Sequence, residues 1–234
     1  MIQVERKAQD RCAKRTSRPI QLTSQAVHRL VRGKASMAAQ YNVVFMLGPP
    51  GAGKGTQSNI IAQVGDAMTF GYDHVCVGDL LKGEVKQPDS AIGRLIKEQI
   101  LSNTIVSWTV TCPLLERYMK ESRNKNFVID GFPRTQDNFD GWNLTLGNKV
   151  NLQCVFFLSC PFELCTERCL GRGAAGSGRP DDNEASLQKR FDTFSNDTVH
   201  ILNWYEKRGL LRTIDGAKSI EEVAADVKSH FIKL

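Results

Sequence analysis

A chain of 234 residues allows one compact domain, or one domain with a small extra segment. Hydrophobic residues at 41% and charged residues at 24% exclude a wholly disordered chain, and no run approaches the ~18 apolar residues that span a bilayer. The net charge of +6 sits at one end: residues 1–40 carry nine basic side chains against Glu5 and Asp10, a net +7, and everything after them is −1. The folded part is therefore not expected to bind nucleic acid, and no membrane association is expected either.

Residues 1–40 show neither helical nor strand periodicity and read as a flexible basic extension. From Arg11 to Gly65 there is no acidic residue, a composition found in organelle-targeting peptides, whereas Glu5 and Asp10 run against that reading. Met37 offers an alternative start. A dispensable extension, a targeting segment and a partner-binding arm all stay open. Seven cysteines, an odd number with no secretory apolar segment, favour reduced thiols. The expected setting is cytoplasmic, with the nucleus as an extension of it; a mitochondrial or other organelle location through the basic extension is the alternative.

After Gln40 the pattern changes. Apolar runs at Val43–Leu47, Val75–Val77, Phe127–Asp130, Val155–Leu158 and Leu210–Ile214 alternate with helix-length segments starting near Lys54, Asp89, Cys112, Pro161, Asn183 and Ser219. That alternation predicts an α/β domain over residues 41–234, a parallel sheet flanked by helices. After Asn183, the residues Leu187, Phe191, Phe194, Thr198, Leu202 and Tyr205 recur at three- and four-residue spacing. They lay a mostly apolar stripe on one helix.

Between the first strand and the first helix stands GPPGAGKGT, Gly48 to Thr56. The G-x-x-x-x-G-K spacing in that position is a phosphate loop. Glycines let backbone N–H groups approach a polyphosphate, the following helix presents its positive N-terminus, and Lys54 adds a mobile charge. Gly51, Ala52, Gly53, Lys54, Gly55 and Thr56 are the candidate ATP-phosphate residues. Gly55 occupies the place where the strict pattern has a Ser or Thr on Mg²⁺, so Thr56 is the candidate metal-side hydroxyl, through water.

Two further segments add positive charge. DGFPRTQDNFDGWN runs from Asp130 to Asn143, and ERCLGRGAAGSGRPDDNEASLQKR from Glu167 to Arg190. With the phosphate loop they resemble the nucleoside monophosphate kinases of the adenylate kinase superfamily, and within it the UMP-CMP kinases with a short lid, over about Val43 to Ile232. The resemblance implies a doubly wound five-stranded parallel sheet with two mobile parts, a monophosphate-binding segment at 76–106 and a lid at 171–181. It implies transfer of the ATP γ-phosphoryl to UMP, CMP or dCMP, with Mg²⁺, in a monomer whose partners are small-molecule nucleotides. An adenylate kinase acting on AMP is the alternative, and a phosphate-loop switch or a non-enzymatic binding protein lies further off.

Carried onto this sequence, the resemblance implies that Lys54, Arg134, Arg168, Arg179 and Arg190 serve the transfer. Arg172 and Lys218 would face ATP, and Asp130 would help order Mg²⁺ and its waters. Lys82, Thr104, Ile105, Val106, Gly131, Phe132, Pro133, Arg134, Arg179 and Arg190 would surround the acceptor, with Asn138 reading its base. Three positions depart from the family pattern. Cys76 and Lys82 replace Ser and Arg in the segment beginning Ser-x-Gly-Asp, and Thr104 replaces a frequent Lys. Cys160, Cys165 and Cys169 lack paired metal-ligand spacing and are expected to be core thiols.

Overall fold

The computed structural model describes residues 39–62, 71–102, 104–175 and 182–231. Five strands form one sheet: β1 (Tyr41–Leu47), β2 (Asp73–Cys76), β3 (Asn126–Asp130), β4 (Val150–Ser159) and β5 (Leu211–Asp215). Their order is β2-β3-β1-β4-β5 and every pairing is parallel. A parallel sheet covered on both faces needs apolar residues at odd and even positions alike. β1 meets that demand. Val43, Phe45 and Leu47 enter one core with Phe127 and Trp142, while Val44 and Met46 enter the other with Phe156 and Leu158.

The helices are α1 (Lys54–Ala62), α2 (Val77–Val85), α3 (Ala91–Leu101), α4 (Trp108–Glu121), α5 (Gln136–Thr145), α6 (Phe162–Ala174), α7 (Glu184–Thr193), α8 (Val199–Glu206) and α9 (Ile220–Phe231). A π-helical turn, Phe194–Thr198, joins α7 to α8. The sequence reading lacks α2 and α5. Both contain glycine and weak helix formers, so propensity hides them. Tertiary contacts decide instead. In α5, a Cβ on Gly141 would lie 2.1 Å from the Trp108 ring, so the glycine gives that ring its seat. The next residue, Trp142, packs edge-on against Phe45 at 5.1 Å. Val77 opens α2 rather than closing β2.

The apolar stripe after Asn183 is buried along its length, yet it serves two cores. Leu187 and Phe191 join Phe156 on one side of the sheet; Phe194, Leu202 and Tyr205 join Phe45 on the other. The single helix expected there is two helices, because the π turn intervenes.

Chain order reverses at β1, which lies between β3 and β4. In open α/β sheets the crevice beyond the strand C-termini at such a reversal is where ligands bind. Leu47, Asp130 and Ser159 end the three adjacent strands there. Among the described residues no helix is long and apolar enough to cross a membrane.

Candidate active site

The phosphate loop leaves β1 under tight constraint. Gly48 and Gly51 have φ of +151° and +88°. Cβ atoms there would lie 2.7 Å from the Leu158 carbonyl oxygen and 2.3 Å from that of Cys165. The loop therefore rests on the end of β4 and on α6, and side chains are excluded by backbone atoms that have nowhere to move. Gly53, at φ +91°, has open space where a side chain would stand. Its glycine serves conformation, whereas Gly51 serves conformation and close approach together.

Lys54 folds back over the loop and donates to the Pro49 carbonyl at 2.8 Å. Burial pushes its ammonium down to about 8; the Arg134 and Arg190 charges add to the depression, and Asp130 opposes it. Three cations and one carboxylate thus converge on one place. Lys54, Arg134, Arg190, Ile105, Gly131 and Pro133 line a common cavity beside the loop. A phosphate suits such a cluster of cations.

The DGFPR turn divides its residues between cavity and core. Gly131 has φ +77°, and its N–H bonds the Met46 carbonyl at 3.2 Å. Phe132 of the expected acceptor-binding set has its side chain buried in the core, edge-on to Phe45 at 6.2 Å. A large ring at the end of β3 gains more from burial than a polar site offers it. Arg134 is braced by its Nε, which donates to the Gly131 carbonyl at 2.8 Å. Asn138 is buried within the first turn of α5, which Thr135 caps by accepting from Asn138 N at 3.3 Å. Its Nδ2 donates to the Val106 carbonyl at 3.2 Å, and its Oδ1 accepts from Arg134 N at 3.4 Å. The amide keeps one N–H and one lone pair beyond these bonds.

On α6 and α7 the arginines separate. Arg172 makes a two-pronged pair with Asp182, Nε to Oδ2 at 2.8 Å and Nη2 to Oδ1 at 2.7 Å. Arg190 Nη1 lies 3.8 Å from the same carboxylate. Asp182, whose side chain is fully buried, is the site residue that the sequence reading leaves without a role. The signal for it is the acidic pair directly after Arg179-Pro180 in an otherwise basic stretch. Arg168 reaches toward β5. Its Nη1 donates to the Gly216 carbonyl at 2.7 Å, which ties α6 to the loop after β5. Lys218 is exposed and pairs with Asp226 of α9 at 2.8 Å. Lys82 is half-exposed and lies 3.8 Å from Asp79, one turn earlier on α2. Thr104 is exposed, Ile105 lines the cavity and Val106 is buried. Arg179 lies outside the described residues, as do Asp181 and most of the expected lid.

The residues around Asp130 suit a hydrated divalent ion. Asp130 is buried at the end of β3, and a Cβ on Gly55 would stand 3.4 Å from its Oδ2. A side chain at position 55 would therefore stand in van der Waals contact with that carboxylate. His74 Nδ1 is 2.7 Å from Asn59 Oδ1, and its Nε2 is buried without a hydrogen-bond partner, 3.6 Å from Asp130 Oδ2. Water held to a cation beside that carboxylate would give the buried nitrogen a partner. Among the described residues no group of three or more His, Cys, Asp or Glu side chains could by itself hold a metal. The cysteines of β4 and α6 pack into the core under the loop, and burial pushes the Cys165 thiol up to about 12.

The adenylate kinase sequence model matches residues 46–210, from the end of β1 to the residue before β5. The chain belongs to the adenylate kinase family. Among curated proteins, this kinase is 45% identical over 192 residues to UMP-CMP kinase 2 of Caenorhabditis elegans, covering 82% of this chain and 96% of that one. It is equally similar, 45% over 196 residues, to the UMP-CMP kinases of Rattus norvegicus and Homo sapiens, covering 82% of this chain and 97% of each. The five-stranded parallel sheet and the phosphate loop are those the sequence led one to expect of this family.

Proposed function

We propose that this enzyme transfers the γ-phosphoryl of ATP to a pyrimidine nucleoside monophosphate, UMP or CMP, giving ADP and the diphosphate. The carrying observation is the convergence of Lys54, Arg134 and Arg190 on one cavity between the phosphate loop and the DGFPR turn. The ATP phosphates would lie along Gly51–Thr56 at the N-terminus of α1, with Lys54 leaving the Pro49 carbonyl to follow the transferred group. Arg134 and Arg190 would hold the acceptor phosphate, joined by Arg179. Arg172, paired with Asp182, would stand on the ATP side. Mg²⁺ would sit by Asp130 and Thr56, held largely through water, where it would neutralise phosphate oxygens.

In-line transfer asks little covalent work of the protein. Positioning and neutralising charge supply most of the rate, and the acceptor phosphate is already ionised at neutral pH. Asn138 would read the base with the N–H and lone pair that Val106 and Arg134 leave to it, a donor-acceptor edge that either uracil or cytosine can match. The 45% identity to UMP-CMP kinases supports the pyrimidine acceptor. A coupled assay of ADP formation with UMP, CMP, dCMP, AMP and GMP tests it. UMP and CMP are expected to exceed AMP at least tenfold in kcat/KM; AMP as the best acceptor would replace this reading with that of an adenylate kinase. The basic segment 1–40 we take to be dispensable for chemistry in a cytoplasmic enzyme. Deleting residues 1–36 should leave the catalytic constants within about twofold.

A further inference from the structure

Arg190, Thr193, Phe194 and Thr198 line the same cavity as Lys54 and Arg134. Their spacing is i, i+3, i+4 and i+8. In an α-helix of about 3.6 residues per turn, i+7 shares a face with i, and i+8 lies roughly 80° round. The π turn at Phe194–Thr198 accommodates about one extra residue, so i+8 takes the place of i+7. The irregularity therefore has a geometric product: it brings a buried hydroxyl, Thr198 Oγ1, onto the face that carries Arg190.

That hydroxyl donates to the Arg134 carbonyl at 2.7 Å, across 64 residues of chain. One helical run thus presents Arg190 to the cavity and, two turns on, fixes the peptide of the second cavity arginine. The Arg134 side chain is braced from the other direction by the Gly131 carbonyl. We propose that Thr198 is a positioning residue for phosphoryl transfer, holding the Arg134 peptide so that the Arg134 and Arg190 guanidinium groups converge on the acceptor phosphate. The proposal rests on the reading of those two arginines as the acceptor-phosphate site.

Thr198→Val keeps the shape and removes the hydroxyl; Thr198→Ser restores it. Kinetics are read separately for ATP and for the monophosphate that the wild type prefers, and UMP binding is read by calorimetry. Thr198→Val is expected to lower acceptor kcat/KM about tenfold, to weaken UMP binding, and to leave the KM for ATP within about twofold. Thr198→Ser is expected to recover most of the loss. In an Arg134→Ala background, Thr198→Val is expected to cost less than about twofold more, because the arginine it positions is gone. Thr198→Ala takes its place in the same cycle if Thr198→Val does not fold.

Losses that multiply in the double variant, equal losses on ATP and acceptor, or wild-type acceptor kinetics in Thr198→Val would each overturn the proposal. Wild-type acceptor kinetics in Arg134→Ala would instead remove the arginine reading beneath it, and the proposal with it. Preference for AMP over UMP would change only the base assignment, and the Thr198 cycle run with AMP still decides.

Discussion

The two sides of the cavity are built differently. On the donor side, backbone presses on backbone: Gly48 and Gly51 have no room for a Cβ, and Lys54 is tied to Pro49. On the acceptor side, α2 and α3 also press together at Gly93, where a Cβ would lie 2.6 Å from the Glu84 carbonyl oxygen, but charged side chains tie them to α4. Buried Glu84 accepts from Ser90 Oγ at 2.8 Å and from Arg117 Nη2 at 2.7 Å, and these partners, Arg117 foremost, keep its carboxyl below the usual range. Beyond that clamp α3 exposes Ile92, Leu95 and Leu101. On the proposed reading, chemistry common to every substrate uses the region built on backbone contacts, and substrate choice lies next to the one tied by side chains. Of the departures from the family pattern, Lys82 lies on α2, while Cys76 and Thr104 flank α2 and α3.

The donor side should give the largest effect. Lys54→Ala is expected to reduce transfer at least a hundredfold while the thermal unfolding midpoint stays near wild type, since the lost contact is to phosphate in the transition state. Retention of more than a tenth of wild-type turnover would break the division between the two sides. Asn138→Ala comes next. Leaving a base edge unpaired costs about 1–3 kcal/mol, so selectivity for UMP over AMP should shrink roughly ten- to hundredfold. Part of the change should appear as a higher acceptor KM for every base, because the amide also bonds Val106 and Arg134.

A pH profile separates the sides without mutation. In the nucleotide-free site Lys54 titrates at about 8, so the ammonium is present below that pH and lost above it. Since kcat/KM reports the free enzyme, its value for ATP should fall above pH 8, roughly tenfold by pH 9. Bound phosphate restores the charge, so kcat should stay level over the same range. A flat kcat/KM to pH 9.5 would show that burial does not set the charge of Lys54.

The same contrast explains what was legible in the sequence. Strands buried on both faces announce themselves as apolar runs, and a loop that forbids side chains announces itself as glycines. Links made across the fold leave no such pattern. The bond from Arg168 to Gly216, the pairing of Asp182 with Arg172, and the turn of Phe132 into the core depend on which chain end comes near which. In GWN, Gly141 and Trp142 belong to the segment that carries the family resemblance, and both serve packing, the first as a seat for Trp108 and the second as core. The π turn was hidden because the apolar residues on either side of it keep helical spacing while they feed different cores.

The smallest effect is expected at Lys82, and it bears on what the acceptor side contributes. Lys82 is 44% exposed on α2, and its pairing with Asp79 at 3.8 Å is a surface ion pair of little energetic weight. An ammonium there is a point charge, whereas a guanidinium offers a planar fork to two phosphate oxygens. Lys82→Arg should therefore lower the acceptor KM about two- to fivefold, a change of under ~1 kcal/mol, in KM more than in kcat. The shift should be the same for UMP, CMP and AMP, because the phosphate is common to all three. Steady-state kinetics with the three acceptors side by side checks this. A gain confined to one base would place position 82 against the base instead, and recognition would then be shared between α2 and the first turn of α5.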